Sequence, residues 1–338
     1  MKRILMVVLA AVLCVGLVAC AGTQGADEVD IDELASAAAE LEEAVGGDEE
    51  EASEEPAEEA SAEPTEGAEE ETSGDVDVFG NGSIEGLKAD KIVSVSPSGT
   101  EIICALGAED RLVGRDEYSN YPESVQDVEV VGDFNGPDVE KVVALEPDVV
   151  LMSDKLQQDA IDQLEDLGVP VVLVDATSLE DIPYSFELIG KLVGEEEAAQ
   201  ALADELAQAI ADAQANQPEE AKTVYYAMSY GDAGNWTSGP GSFIYDMIKI
   251  AGGTPVPDDE SLPTWVEYPV EDLVAADPDI ILTDSSMGAV DPIEDQTGYS
   301  DLTAVAEGNV HEISADVFSR PGPRIIDAIK TLSDILNG

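Results

Sequence analysis

Val139-Glu140-Lys141-Val142-Val143-Ala144-Leu145-Glu146-Pro147-Asp148-Val149-Val150-Leu151 returns in the second half of the chain as Val270-Glu271-Asp272-Leu273-Val274-Ala275-Ala276-Asp277-Pro278-Asp279-Ile280-Ile281-Leu282. Seven of the thirteen positions are identical, and most of the others are conservative. Each copy reads as a short helix, a Pro-Asp turn and a buried apolar strand, since proline ends the helical period and the run after it is continuous. Around the first copy the same alternation continues. Lys91–Ser96 reads as a strand, Thr100–Leu106 as a helix, Leu112–Gly114 and Val128–Val131 as short strands, Asp159–Leu167 as a helix and Val171–Asp175 as a strand. Strands alternating with helices argue a mostly parallel α/β sheet, and the repeat argues two such lobes. A ligand would then lie between them, at the carboxyl ends of the strands.

One long segment interrupts the alternation. Over residues 178–217 the only proline is Pro183, and Ile182, Phe186, Ile189, Leu192, Val193, Leu202, Leu206 and Ile210 recur at helical spacing. This predicts an interlobe helix over 179–217, about 45 Å long in its regular part, with Gly190 and Gly194 as places to bend. The lobes flank it at 88–178 and 218–338.

The N-terminus predicts where the protein works. Lys2 and Arg3 precede an apolar stretch from Ile4 to Val18, too short for a stable membrane span, which ends in Leu17-Val18-Ala19-Cys20. This pattern fits a lipoprotein signal peptide over 1–19, with Cys20 lipidated and holding the chain on the outer face of the cytoplasmic membrane. Residues 21–87 carry 24 acids and no Lys or Arg, the composition of an acidic disordered tether running from 20 to 87. Of the formal net charge of −61, the remainder from Lys88 onward keeps −39. Such a surface is a poor partner for nucleic acid or anionic headgroups. Cys14 leaves with the leader and Cys20 is modified, so Cys104, in an apolar helical run, reads as a small buried hydrophobe with no disulfide partner.

Several stretches together resemble one family. These are Ile92–Glu101 (Ile-Val-Ser-Val-Ser-Pro-Ser-Gly-Thr-Glu), Leu106-Gly107-Ala108, Tyr118-Ser119-Asn120-Tyr121-Pro122, Val131-Gly132-Asp133-Phe134-Asn135-Gly136 through Leu151, and Phe318-Ser319-Arg320-Pro321-Gly322-Pro323-Arg324. The sequence resembles, from Lys88 to Leu336, the helical-backbone (class III) solute-binding proteins of ABC importers for iron siderophores, haem and cobalamin. The resemblance implies two Rossmann-like lobes joined by one long rigid helix, small hinge motion, and delivery of cargo to a permease with a cytosolic ATPase. It also implies a monomer that is no enzyme. Members present one glutamate per lobe to arginine pockets of the permease, and the repeat puts Glu140 and Glu271 at those places. Asp316, Phe318 and Arg320 match a loop that often contacts ligand, and Phe134 matches an aromatic that flanks it. Tyr118 lies in a loop after an early strand, while Trp236 and Trp265 are candidate walls, because in a chain with two Trp and five Phe a loop aromatic is a poor candidate for core filler.

The cargo is less determined. The only histidine, His311, lies in a strand-like run, so a bare zinc or manganese site lacks its ligands and no metal site is expected. Beyond the leader the arginines are Arg111, Arg115, Arg320 and Arg324, with Arg115 and Arg320 the main candidates to meet an anion. So few bases amid this acidity favour a bulky chelate with little negative charge. The Tyr118–Pro122 and Asp316–Arg320 loops look most like those of cobalamin-binding members, which implies a corrinoid, with a ferric siderophore next. Haem is the alternative, with Tyr121 as the iron ligand. Other classes are a sensor or adhesin on the same fold, and a hydrolase built on two carboxylates. The chain has no Gly-x-Ser-x-Gly elbow to support a serine nucleophile.

Overall fold

The computed structural model describes residues 77, 79–87, 89–133, 136–153, 157–284 and 292–338. The proposed leader and Cys20 therefore lie outside the described residues, as does Phe134. Among the described residues no helix is long and apolar enough to cross a membrane.

The first lobe is built on β1 (Ile92–Val95), α1 (Pro97–Ala105), β2 (Leu112–Asp116), β3 (Val130–Asp133), β4 (Gly136–Pro137), α2 (Val139–Ala144), β5 (Val149–Met152), α3 (Gln158–Asp166) and β6 (Val171–Leu173). Its six-stranded sheet has the order β4-β3-β2-β1-β5-β6, parallel except for the β3–β4 pair. The second lobe holds β7 (Thr223–Ala227), β8 (Trp236–Ser238), α6 (Phe243–Ile250), β9 (Thr254–Val256), β10 (Trp265–Glu267), α7 (Val270–Ala276), β11 (Ile280–Asp284), α8 (Thr303–Glu307), β12 (Val310–Ile313), α9 (Ala315–Ser319) and α10 (Ile325–Asn337). Its parallel sheet has the order β12-β11-β7-β9, and β8 and β10 form a separate antiparallel ribbon. The order β2-β1-β5-β6 of the first lobe thus recurs as β9-β7-β11-β12 in the second. The mixed α/β architecture expected from the alternation is the one observed.

The repeat has a structural cause. In both copies the residue before Pro-Asp takes positive φ, 51° at Glu146 and 40° at Asp277, so the chain reverses tightly from helix to strand. The aspartate that follows reaches the entrance of the neighbouring central strand. Asp148 Oδ2 accepts the backbone N–H groups of Asp90 (2.8 Å) and Lys91 (2.9 Å). Asp279 Oδ2 accepts the backbone N–H of Thr223 (2.7 Å) and also its side-chain hydroxyl (2.8 Å). The same acid therefore fixes the β5–β1 and β11–β7 registers, and its conservation between copies follows from that task.

The predicted interlobe helix is two helices, α4 (Ile182–Val193) and α5 (Glu196–Ala215). Gly194 ends α4 in the left-handed region (φ 71°), which makes a cap rather than a bend. Gly190 serves close packing: a Cβ there would lie 2.6 Å from Ala199 Cβ on α5. The intervening residues favour helix, so propensity alone could not reveal the break. α4 packs on α1, and α5 packs on α10, where Lys330 Nζ lies 3.5 Å from Glu205 Oε1. One continuous apolar cluster includes Ile92 and Ile102 of the first lobe, Phe186 and Leu206 of the two helices, and Val224, Ile280 and Leu332 of the second lobe. Linkage of the lobes thus rests on a shared core more than on one rod.

Part of the stretch assigned to the tether is packed. Asn81 is buried and pairs with edge strand β6 through its side chain, donating from Nδ2 to Leu173 O (2.8 Å) and accepting from Leu173 N at Oδ1 (2.7 Å). Asp77 closes the turn before it by accepting from Phe79 N and Asn81 N (both 2.9 Å), and Phe79, Ile84 and Leu87 pack against the core. Ordered packing therefore begins ahead of Lys88, because one asparagine can imitate a strand's donor and acceptor. Asn81→Ala should lower unfolding free energy by about 1–3 kcal/mol, the usual penalty for stranding buried polar groups, measured by urea denaturation.

Candidate functional site

Loops at the carboxyl ends of parallel strands carry most of the candidate residues. Tyr118 and Tyr121 follow β2, Trp236 follows β7 through the Ser229–Trp236 bridge, and Asp316 and Arg320 follow β12. Ligands of open α/β sheets bind at such ends.

Two of these loops meet. Arg320 Nη1 lies 3.2 Å from Asn120 Oδ1 and 3.2 Å from Glu101 Oε1, both in the first lobe, while its Nη2 lies 2.7 Å from Asp316 Oδ1. Arg324 grips the same glutamate, with Nε 2.8 Å from Oε2 and Nη2 2.5 Å from Oε1. Its guanidinium also stacks 4.2 Å from the centre of the Tyr121 ring. Tyr118 and Tyr121 remain 46% exposed and Trp265 43%; among the described aromatic residues only Tyr184, on α4, is exposed to a similar degree. Tyr118, Tyr121, Asp316 and Arg320 are thus brought to one lobe boundary.

Trp236 and Trp265 stand on another element, the β8–β10 ribbon, where Trp265 pairs with Ser238 and Glu267 with Trp236. Asn235 anchors that ribbon. Its Nδ2 donates to Tyr268 O (3.1 Å), and its Oδ1 accepts from the hydroxyl of Tyr299 (2.6 Å), a ring buried beside Tyr225 and Tyr230.

Three readings need correction or completion. Phe318, expected in the ligand-contact loop, is only 3% exposed and belongs to the apolar core, where it braces that segment from beneath. Arg115 is no free base. It is buried, and donates to the carbonyls of Val125 (2.9 Å), Asp116 (2.9 Å) and Gln126 (3.2 Å), shaping the loop that carries the tyrosines. Glu101 was read only as part of a family motif. It is a single charge among the apolar residues of α1, and a charge on a buried face demands a partner. Ser96 caps α1, accepting from Gly99 N at 2.8 Å.

Electrostatics follow burial. Asp116, at the end of β2, has its carboxyl pushed above the usual range by desolvation, against the opposing pull of the Ser119 hydrogen bonds and of Arg320 and Arg115. Its raised value means that ionised Asp116 costs stability once pH exceeds the ordinary carboxylate range, and costs nothing below it. Asp116→Asn, which retains an acceptor for Ser119 N, should therefore stabilise the protein at neutral pH. The gain should disappear in acid, and denaturant melts at both pH values check it. Burial and the nearby Glu109 and Glu101 push the Cys104 thiol up to about 12, which suits a packing residue and not a nucleophile. Glu140 and Glu271 are exposed in the first turns of α2 and α7, at equivalent places of the two lobes. Among the described residues no group of three or more His, Cys, Asp or Glu is placed to hold a metal ion.

Two α/β lobes on a shared core, meeting through strand-end loops that hold exposed aromatic rings and paired charges, define a bilobal ligand-binding protein. Residues 92–317 match the family model described as "Periplasmic binding protein", and the chain belongs to that family. It is 34% identical to the uncharacterized ABC transporter substrate-binding lipoprotein YvrC of Bacillus subtilis (strain 168), over 72% of this chain and 79% of that protein. It is 31% identical to the vitamin B12-binding protein of Salmonella choleraesuis (strain SC-B67), over 74% of this chain and 91% of that one. The crystal structure of the periplasmic vitamin B12 binding protein BtuF of Vibrio cholerae superposes with a TM-score of 0.63 at 25% identity, covering 74% of this chain and 97% of that one.

Proposed function

We propose that this chain is the extracytoplasmic solute-binding subunit of an ABC importer, held at the membrane by lipidated Cys20, and that its cargo is a corrinoid, cobalamin first. The observation that carries the cargo class is the state of the arginines. Arg111 donates to Ala89 O, Arg115 to three loop carbonyls, and Arg320 and Arg324 to Glu101. None of the four offers an unshared guanidinium to propionates or catecholates, while Tyr118, Tyr121 and Trp265 offer exposed rings. A bulky chelate of low negative charge suits that combination. The B12-binding and lipoprotein relatives support the same reading, as do the symmetric exposed acids Glu140 and Glu271, which would dock a permease.

Tryptophan-quenching titration of the mature chain against cyanocobalamin, a ferric hydroxamate, a ferric catecholate and haemin tests it. Saturable binding of cyanocobalamin, with the catecholate and haemin at least tenfold weaker, is expected, since each unpaired buried charge costs more than about 1.4 kcal/mol. Preference for the catecholate would sink the low-charge reading. Tight haemin binding that is lost in Tyr121→Phe would replace the corrinoid by haem.

A further inference from the structure

Among the described residues, Glu101 is the one first-lobe side chain that both second-lobe arginines hydrogen-bond. Its side chain is 2% exposed, and its two oxygens receive three guanidinium hydrogens from Arg320 and Arg324, themselves 14% and 16% exposed. The backbone between those arginines lies directly on α1: a Cβ on Gly322 would stand 3.6 Å from Glu101 Oε2 and 3.6 Å from Ser98 Cα. On the far side Asp316 holds Arg320, and Arg324 covers the Tyr121 ring.

We infer that Glu101 is the positioning residue of the cleft, a single buried carboxylate that, through Arg320 and Arg324, pins the segment Ala315–Arg324 of one lobe to α1 and to the Tyr118–Tyr121 loop of the other. A buried ion pair is a poor source of stability compared with apolar packing, because desolvation cancels most of its attraction. What it provides is geometry. The planar guanidinium fork of Arg324 fits both oxygens of one carboxylate and fixes the angle of approach, which a hydrophobic contact would leave loose. The spacing of the lobes at the cleft and the aim of Arg320 are therefore set before any ligand arrives, and the tie is independent of which cargo binds.

Hydrogen–deuterium exchange on the full-length, ligand-free chain tests this without reference to cargo. In Glu101→Gln, which keeps the shape and removes the charge, amide exchange over residues 315–325 and 117–122 is expected to quicken about tenfold or more, while β1, β5, β7 and β11 stay protected as in the wild type. Arg324→Lys keeps the charge but loses the fork, and should loosen the same two segments to a smaller degree. Unchanged exchange in both loops of Glu101→Gln would overturn the inference. So would a uniform quickening through all four strands, which is the mark of general destabilisation, or wild-type behaviour of Arg324→Lys, which would deny the fork any role.

Discussion

Glu140→Ala combined with Glu271→Ala is expected to abolish cargo uptake by whole cells, while the purified double variant keeps its cargo affinity within about twofold, as surface changes remote from a ligand do. Both acids are exposed, and both lie in the first turn of a short helix that the repeat places identically in each lobe. There the helix dipole favours a carboxylate and leaves it free to face a partner. Each helix is itself held, since Asp148 and Asp279 tie the turn that follows to the central strand. The two carboxylates would therefore be presented at fixed places, as a two-point contact requires. Truncating one partner of a buried interfacial charge pair costs about 2–5 kcal/mol, so each single variant should weaken docking about thirtyfold or more. Uptake at the wild-type rate by the double variant would remove these acids from the docking surface and favour a sensor or adhesin. Loss of cargo binding in the purified variant would place them in the ligand site.

The second large effect concerns the shared core. Phe186 of α4 is fully buried in the apolar cluster that runs from β1 through both helices to β7 and α10. Phe186→Ala should cost about 3–5 kcal/mol through lost burial and the cavity left behind. For a fold of this size that lowers the melting midpoint by about 6–20 °C. Both tryptophans, Trp236 and Trp265, lie in the second lobe, whereas α4 packs on α1 of the first. Tryptophan fluorescence should nonetheless report the full shift, in one transition, because the shared core couples the lobes. An unshifted tryptophan transition, beside an early loss of far-ultraviolet dichroism, would show two independently stable lobes.

Local patterning carried most of the fold. The repeat, the alternation around it and the strand holding His311 all depend on periodicity and on Pro-Asp turns, which act within a few residues. The break between α4 and α5 escaped, because it depends on the left-handed cap at Gly194 and the Gly190–Ala199 approach, and neither changes helical spacing. In the candidate site, the sequence places Tyr118, Asp316 and Arg320 in strand-end segments, Arg320 as one of few bases and Asp316 through the family resemblance alone. The surroundings of Arg115 and Phe318 are hidden from the sequence for opposite reasons. The first spends its charge on backbone carbonyls, which no side-chain pattern records, and the second is an aromatic in a loop whose underside is core. Glu101 was visible as a solitary acid in an apolar helix, but its partners stand more than two hundred residues away.

Under the anchoring proposed at Cys20, the asparagine that plugs β6 also sets a limit on how the lobes could be released from a membrane. An open sheet edge is a template on which a second chain can add a strand, and natural proteins block such edges. Here the block comes from outside the sheet, at Asn81, only a few residues after the acidic stretch. Proteolytic shedding that cuts ahead of Asp77 would set free lobes with that edge still closed. A cut beyond Asn81 would shed the same lobes with Leu173 bare, and a bare edge is a seed for self-association.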